Sequence, residues 1–595
     1  MGLIQQAYET YLALEDKYSG LYSETLKEPL CPISHIITAA QIEITLDAQG
    51  NFVNASAVDK SEPKIIIPAT EESAGRTSGA CAHPLCEQLG YIGGYNEKKF
   101  ELYIRQLEKW TDSPYTHPKL NAVLAYVKSG TVLSDLERFG IIKLDGNGIP
   151  ENEKLLVRWR ILDPHSSNPE ECWKDKTLFK AFEGYYGSFQ GSRQLCMVSG
   201  DERAAAKQHP KGIISFNGNA KLISSNDESG FTYRGRFTED WQAASVSYEV
   251  SQKAHAALRW LAVNQGFSAG GRMFICWNPD GFEIVKPHTS LLRSSGKKLS
   301  DYREELRQTI LGHKEKLPEN AKAVIAAFDA ATPGRLAITY YNELQASDFL
   351  DRLHDWDESC CWWMGKDHEV QSPYLAHIVD CAFGVQRNEK GTNRLVTDDR
   401  VMAQQFQRLL SCRLDSKRMP EDIMRAVVNK ASNPTALDGQ MWRNVVHTAC
   451  AVIQKYYAPI LKEDICMEWE LDRKDRSFQF GRLLAVMERV EEDYYRSINE
   501  DRQTSAIKSL SSFKQTPWSV FERVNEHLSQ AYLPRVKPWQ RDRYKRLTGE
   551  ITAMLSSCSK KDLNAPLDPF YLIGYELQRN EFFNHKPETT ENEEE

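Results

Sequence analysis

The chain has 595 residues, too many for a single hydrophobic core, so two to four domains are expected. Its 41% hydrophobic and 26% charged residues are the balance of a soluble globular protein, and no apolar run reaches the ~18–20 residues that cross a bilayer. A formal net charge of −8 argues against a protein that simply coats nucleic acid, although net charge averages over faces.

The N-terminal MGLIQQAYETYLALEDKYSG predicts an amphipathic helix and lacks the basic start, apolar block and cleavage site of a secretory signal. Gln6 stands where a myristoylation signal needs Ser or Thr. IITAAQIEITLDAQGNFVNAS alternates apolar and polar residues around Ala-Gln-Gly-Asn, a hairpin pattern, and Pro63 to Pro68 reads as a short strand. NEKKFELYIRQLEKWTDS places Phe100, Tyr103, Leu107 and Trp110 at helical spacing. A second helix follows in LNAVLAYVKSG and a strand in LLVRWRILD. CMVSGD, GIISFN and the Gly/Asn/Ser-rich run to GFTYRGRF form a β-rich, loop-heavy zone. Tyr248 to Asn264 predicts a helix with Val250, Ala254, Ala257, Leu258 and Leu261 inward, and RMFICWNP and RLAITYYNEL predict strands.

Beyond about residue 395 strand signals nearly vanish and long helical patterns take over. The expected fold class is α+β: a mixed α/β N-terminal part with irregular β-rich regions (1–395), then an all-helical bundle (396–580). The acidic tail, 581–595, has the composition of a disordered segment.

Chemistry candidates concentrate first in EESAGRTSGACAHPLC, residues 71–86. Cys81, His83 and Cys86 lack the fourth ligand and paired spacing of a structural zinc. A nucleophile–base pair of Cys81 with His83 is likewise not expected. No phosphate-loop pattern occurs anywhere. His354-Asp355, with His368, His377 and Asp380 downstream, has the pair used by HD-type metal phosphohydrolases, but it sits on a helix whose apolar face is Phe349, Leu353 and Trp356. The thirteen cysteines include no C-x-x-C pair, so reduced thiols of a cytosolic protein are expected. No catalytic residue, metal or cofactor is therefore assigned. What remains in the stretch is Gly75-Arg76-Thr77-Ser78-Gly79, where glycines permit close backbone approach and Arg76, Thr77 and Ser78 suit base edges and phosphates. A surface loop without a partner stays open as the alternative.

Several blocks, in order, resemble one family. They are GRTSGACAHPLCEQLGYIGG, FELYIRQLEKWTDSPYTHPKLNAVLAYVKSGTVLSDL, VRWRI, CMVSGDERAAAKQHPKGI, LISSNDESGFTYRGRF, QKAHAALRWLAVNQGF, RLAITYYNELQASDFLDRLHDW, FGRLLAVMERV and DPFYLIGYELQ. Over essentially the whole chain they look like the large subunit of the subtype I-C CRISPR Cascade, the Cas-eight-c family. The resemblance implies a non-enzymatic subunit in the prokaryotic cytosol. It would sit at the crRNA 5′ end beside the backbone and crRNA-processing subunits, recognise the protospacer-adjacent motif in double-stranded DNA, and promote unwinding and R-loop formation. A separate helicase–nuclease would do the cutting, while base pairing with the guide reads the target sequence. It also implies a small subunit translated internally from the same gene, for which Met467 and Met487 are candidate starts, with ordinary core methionines as the alternative.

Within that frame Arg76, Thr77, Ser78 and Gly79 are candidate duplex contacts. So are Arg203, Lys207 and Lys211 of the ERAAAKQHPKG block, where Arg203 and Lys207 would share a face if the segment were helical. Tyr233, Arg234 and Arg236 complete this set. The strip LPRVKPWQRDRYKR, with Arg535, Lys537, Trp539, Arg541, Arg543, Lys545 and Arg546, mixes cations and rings in the way that suits the non-target single strand. A solvated helix face, or one that meets an acidic partner, is its alternative.

Overall fold

The hairpin signal folds as expected: β2 (Ile42–Asp47) pairs antiparallel with β3 (Phe52–Ala57). The Asp47 carboxylate ties the turn by accepting from the Gln49 and Asn51 backbone N–H groups and the Asn51 amide. The computed structural model describes all residues except 1, 63, 77–78, 192, 217, 225–236, 239, 293–297, 333, 366–367, 390, 464–466, 468–469 and 585–595. The chain forms two units, Met1–Ile284 with Ala321–Leu344, and Val285–Asn320 with Gln345–Glu595.

In the first unit, β5 (Val157–Leu162) runs parallel to β2, giving a sheet of order β3-β2-β5. β1 (His35–Thr38) pairs with β4 (Ile65–Pro68), which delivers the chain into α2 (Glu71–Gly75). The helices α3 (Glu97–Thr111), α4 (Pro118–Lys128) and α5 (Lys176–Gly187) bury Tyr103, Leu107, Trp110, Val123 and Phe182 around Trp159. Each such side chain contributes about 1.5–3 kcal/mol on burial, so the stripe on α3 outweighs the marginal stability of a helix alone. β6 (Arg193–Leu195) and β7 (Glu202–Ala204) form a hairpin. A second core joins α1 (Leu3–Tyr18) and α6 (Tyr248–Asn264) to a sheet of order β11-β10-β9-β8. Its strands are β8 (Phe267–Ala269), β9 (Arg272–Trp277), β10 (Lys322–Thr332) and β11 (Arg335–Gln345). Ser247 caps α6 by accepting from the Val250 N–H.

The second unit opens with α7 (Leu299–Glu315) and α8 (Ala346–Ser359). The small hairpins β12 (Trp362–Met364) with β13 (Glu369–Gln371), and β14 (Val385–Glu389) with β15 (Thr392–Val396), lie on either side of α9 (Leu375–Phe383) in the chain. Beyond β15 the described residues form helices and no strand. The principal ones are α10 (Asp399–Leu414), α11 (Glu421–Ala431), α12 (Gly439–Leu461), α13 (Arg476–Ser497), α14 (Pro517–Ala531), α15 (Pro538–Leu555) and α16 (Phe570–Asn584). The fold is thus α+β, with its strands before residue 397 and a helical remainder. The change in content falls inside the second unit.

Two features hold the helical part together. A Cβ placed on Gly481 of α13 would overlap the Tyr571 carbonyl of α16, and one on Gly574 of α16 would overlap the Phe478 carbonyl of α13. The two backbones therefore touch at paired glycines. Between the same helices the buried Glu488 takes Arg579 and the Tyr575 hydroxyl from α16, and Arg443 from α12 at 2.6 Å.

Candidate nucleic-acid interface

The loop after α2 is built around a carboxylate. Thr70 caps α2 reciprocally with Ser73 at its first turn, and the chain leaves the helix at Arg76 with φ −54° and ψ 137°. The Arg76 fork then closes on Glu87, Nη1 to Oε2 at 2.6 Å and Nη2 to Oε1 at 2.8 Å, and Nη1 also donates to the Cys81 carbonyl at 2.5 Å. The guanidinium lies 5.1 Å from the Tyr91 ring centre. Glu87 has no exposed side-chain surface and that of Arg76 is 17% exposed, so this is a buried bidentate pair. A base contact from Arg76 would have to release it. Gly79 is exposed with open space around it. Thr77 and Ser78 lie outside the described residues.

His83 and Cys86 of this stretch pack inward, whereas Cys81 is half-buried. His83 Nδ1 lies 3.0 Å from Ser73 Oγ, and burial first, then Arg76 and Lys211 nearby, hold its imidazole down to about 4 despite the opposing pull of Glu87. Cys86 is buried, and burial pushes its thiol well up.

The structure brings the second block to the first. Glu71 of α2 accepts the backbone N–H groups of Lys207 and Gln208 at 2.9 and 3.1 Å, and Gly75 leaves the space that the Gln208 side chain fills. The segment from Arg203 is not helical: β7 ends at Ala204 and the chain runs on irregularly, so Arg203 and Lys207 share no helix face. Competing strand pairing of Gln194 with Arg203 explains the difference. Arg203 is engaged by Glu249 at 2.5 Å and Asp201 at 3.1 Å. Lys207 is exposed and Lys211 half-buried, and neither has an ion pair among the described residues. Tyr233, Arg234 and Arg236 lie outside those residues.

A pocket of about 200 Å³ opens here, with β1, α2, the 208–212 segment and α6 in its wall, and Gln208, His209, Lys211, Gln252 and Arg259 among its lining residues. Sequence reading missed Glu87 and two further cations at this place. Lys221 faces Lys211 across an antiparallel bridge, and Arg335 follows beside Lys221 in a parallel one. Lys221 and Arg335 lie far apart in the chain, so no local pattern joins them, and Glu87 reads as an ordinary helix-entry acid.

The strip at residues 535–546 belongs to the second unit. Trp539 is 46% exposed at the start of α15, and Lys537 and Lys545 are exposed without an ion pair among the described residues. Arg546 is exposed with Glu550 at 3.8 Å, and Arg541 has Asp542 at 3.9 Å. Arg535 donates to the Tyr494 hydroxyl at 3.2 Å, while Arg543 pairs with Glu581 at 2.9 Å and covers Phe582. Tyr544 is buried, with its hydroxyl on Asp493, so Trp539 is the ring of the strip that faces outward.

His354 lies 3.6 Å from Asp355 on α8, and His377 on α9 lies 3.5 Å from the Cys381 sulfur. Among the described residues no three His, Cys, Asp or Glu side chains gather in a geometry that could hold a metal ion. No helix among them is long and apolar enough to cross a membrane.

Sequence comparison gives the class that this architecture serves: a CRISPR-associated protein, matched over nearly the whole chain. The chain belongs to the family described as CRISPR-associated protein (Cas_Csd1), whose sequence profile covers residues 8–583. A search of curated proteins finds no match.

Proposed function

We propose that this chain is the non-catalytic large subunit of a subtype I-C surveillance complex in the prokaryotic cytosol. It recognises the protospacer-adjacent motif in double-stranded DNA and promotes R-loop formation. The observation that carries the reading is the family match from residue 8 to 583. The meeting of α2 with the 207–211 segment, beside lysines without an ion pair among the described residues, supports a nucleic-acid face on the first unit. Trp539 with Lys537, Lys545 and Arg546 offers a stacking ring among cations for the displaced strand. The partners are the crRNA 5′ end, the backbone and crRNA-processing subunits, a small subunit and the helicase–nuclease that cuts.

The reading is tested on the assembled complex, with target duplexes that carry or lack the motif. Preference for the motif should persist as salt rises while total affinity falls steeply, because base contacts discriminate and phosphate contacts are salt-dependent. Equal binding of both duplexes at every salt concentration would remove motif recognition from this subunit.

A further inference from the structure

Lys211 and Lys221 stand opposite each other in an antiparallel bridge, and Lys221 adjoins Arg335 in a parallel one. The Leu336 N–H donates to the Lys221 carbonyl and the Lys221 N–H to the Gly334 carbonyl, so the backbone fixes this order. Residues facing each other in an antiparallel pair hold their Cβ atoms roughly 4.5–5.5 Å apart, and like charges there repel. Neither lysine has a carboxylate within ion-pairing distance among the described residues, nor do Lys207 and Arg335. Both lysine ammoniums are held below their usual range, first by burial, then by Arg76 beside Lys211 and by Lys211 beside Lys221. Glu71 is the carboxylate of the adjoining pocket, but its Oε1 is taken by two backbone N–H groups and burial pushes its carboxyl up. The fold thus holds facing cations together without an ion pair among the described residues, Glu71 offsetting Lys221 only in part.

We propose that Lys211, which lines this pocket, and Lys221, bridged to it, form a phosphoryl-binding site that takes one phosphate of a nucleic-acid backbone. Lys207 and Arg335 extend the cationic row to neighbouring phosphates. A volume of about 200 Å³ is below the ~300–1,000 Å³ of drug-sized ligand sites and suits one small anion. Three of the four cations are lysines, which meet phosphate as point charges, whereas carboxylates are best gripped by an arginine fork. Cations set across neighbouring strands, roughly 5 Å apart, match a polymer with repeating anions better than a single acidic side chain. The choice of nucleic acid as the source of the phosphate rests on the function proposed above.

The test uses the full-length protein, its Lys211→Gln/Lys221→Gln double variant and the matching Lys→Arg double variant. Each is titrated with a fluorescent single-stranded oligonucleotide and a motif-bearing duplex at increasing KCl, with inorganic phosphate, and with a Glu-rich peptide. The Gln variant should melt at or above the wild-type temperature, because the repulsion is relieved. It should bind both oligonucleotides about tenfold more weakly, with the salt slope reduced by about 1, while the Arg variant retains binding. Unchanged oligonucleotide affinity and slope in a normally folded Gln variant would overturn the site. Loss confined to inorganic phosphate would overturn the nucleic-acid source, and loss confined to the Glu-rich peptide would assign the row to an acidic protein. Motif preference in the assembled complex is read separately, so the site can stand where motif recognition fails, or the reverse.

Discussion

Four donors converge on the Glu87 carboxylate: the two Arg76 nitrogens and the backbone N–H groups of His83 and Gln88. Removing the arginine strands a charge that has no exposed surface. Arg76→Ala should therefore cost about 3 kcal/mol or more of stability, read by chemical denaturation, beyond any loss of duplex binding. An unchanged unfolding midpoint would show that the pair is idle in the folded protein. The same unit keeps four imidazoles dry. Burial holds His35, His83 and His255 down to about 4, and burial with His255 and Lys221 nearby holds His209 down to about 3. These groups stay neutral in the folded chain but take up protons near 6.5 once unfolded, so each withdraws stability as pH falls from about 6.5 towards 4. The loss is at most ~1.4 kcal/mol per pH unit for each histidine. Amide exchange in α6, corrected for intrinsic rates, should rise between pH 7 and 5, whereas flat protection would mean that the rings are solvated. At this scale the sequence shows which residue types could touch DNA but not which are already occupied. Arg76 and Arg203 read as free donors, and their acids, Glu87 and Glu249, become visible only once the chain is folded.

The paired glycines on α13 and α16 leave no room for a side chain. Gly481→Ala should destabilise by about 1–3 kcal/mol or more, as overpacking does, because the obstacle is backbone rather than a movable side chain. Gly549→Ala on α15 meets nothing within 4 Å and should be neutral or slightly stabilising, since helical glycine costs ~0.5–1 kcal/mol against alanine. Thermal melts of the two variants separate a packing role from propensity. Elements with a strong period are legible in sequence: α6 spans Tyr248–Asn264 as its apolar spacing predicts, and the β2–β3 hairpin follows its turn residues. β10 is not, because its inner residues Ala323 to Phe328 are all buried and show no alternation, and its alanines suit a helix equally well. The β12–β13 hairpin has three-residue strands, too short for any period to show.

The whole molecule bears on which methionine could start an internal product. Met487 lies in the middle of α13, so a chain beginning there lacks Phe478, Phe480, Gly481, Leu483 and Leu484, the half of the helix that carries the glycine contact to α16. Met467 precedes α13 and leaves it entire. A fragment from Met467 should unfold cooperatively and one from Met487 should not, and equal melts for both would show the first half of α13 to be dispensable. Composition marks where strands give way to helices, near residue 396, but not the division into units, because the first unit is discontinuous in the chain. α7 is inserted between β9 and β10, which are hydrogen-bonded neighbours with Trp277 opposite Val324 and Met273 opposite Phe328. On the ribosome, β9 must therefore wait for its partner while the intervening segment is made, roughly two to nine seconds at ordinary rates of synthesis. During that interval a strand rich in buried residues carries an open edge, a chaperone's natural target and an aggregation hazard. A chain released near residue 284 would keep that edge permanently, so premature termination there should yield insoluble protein rather than a smaller working module.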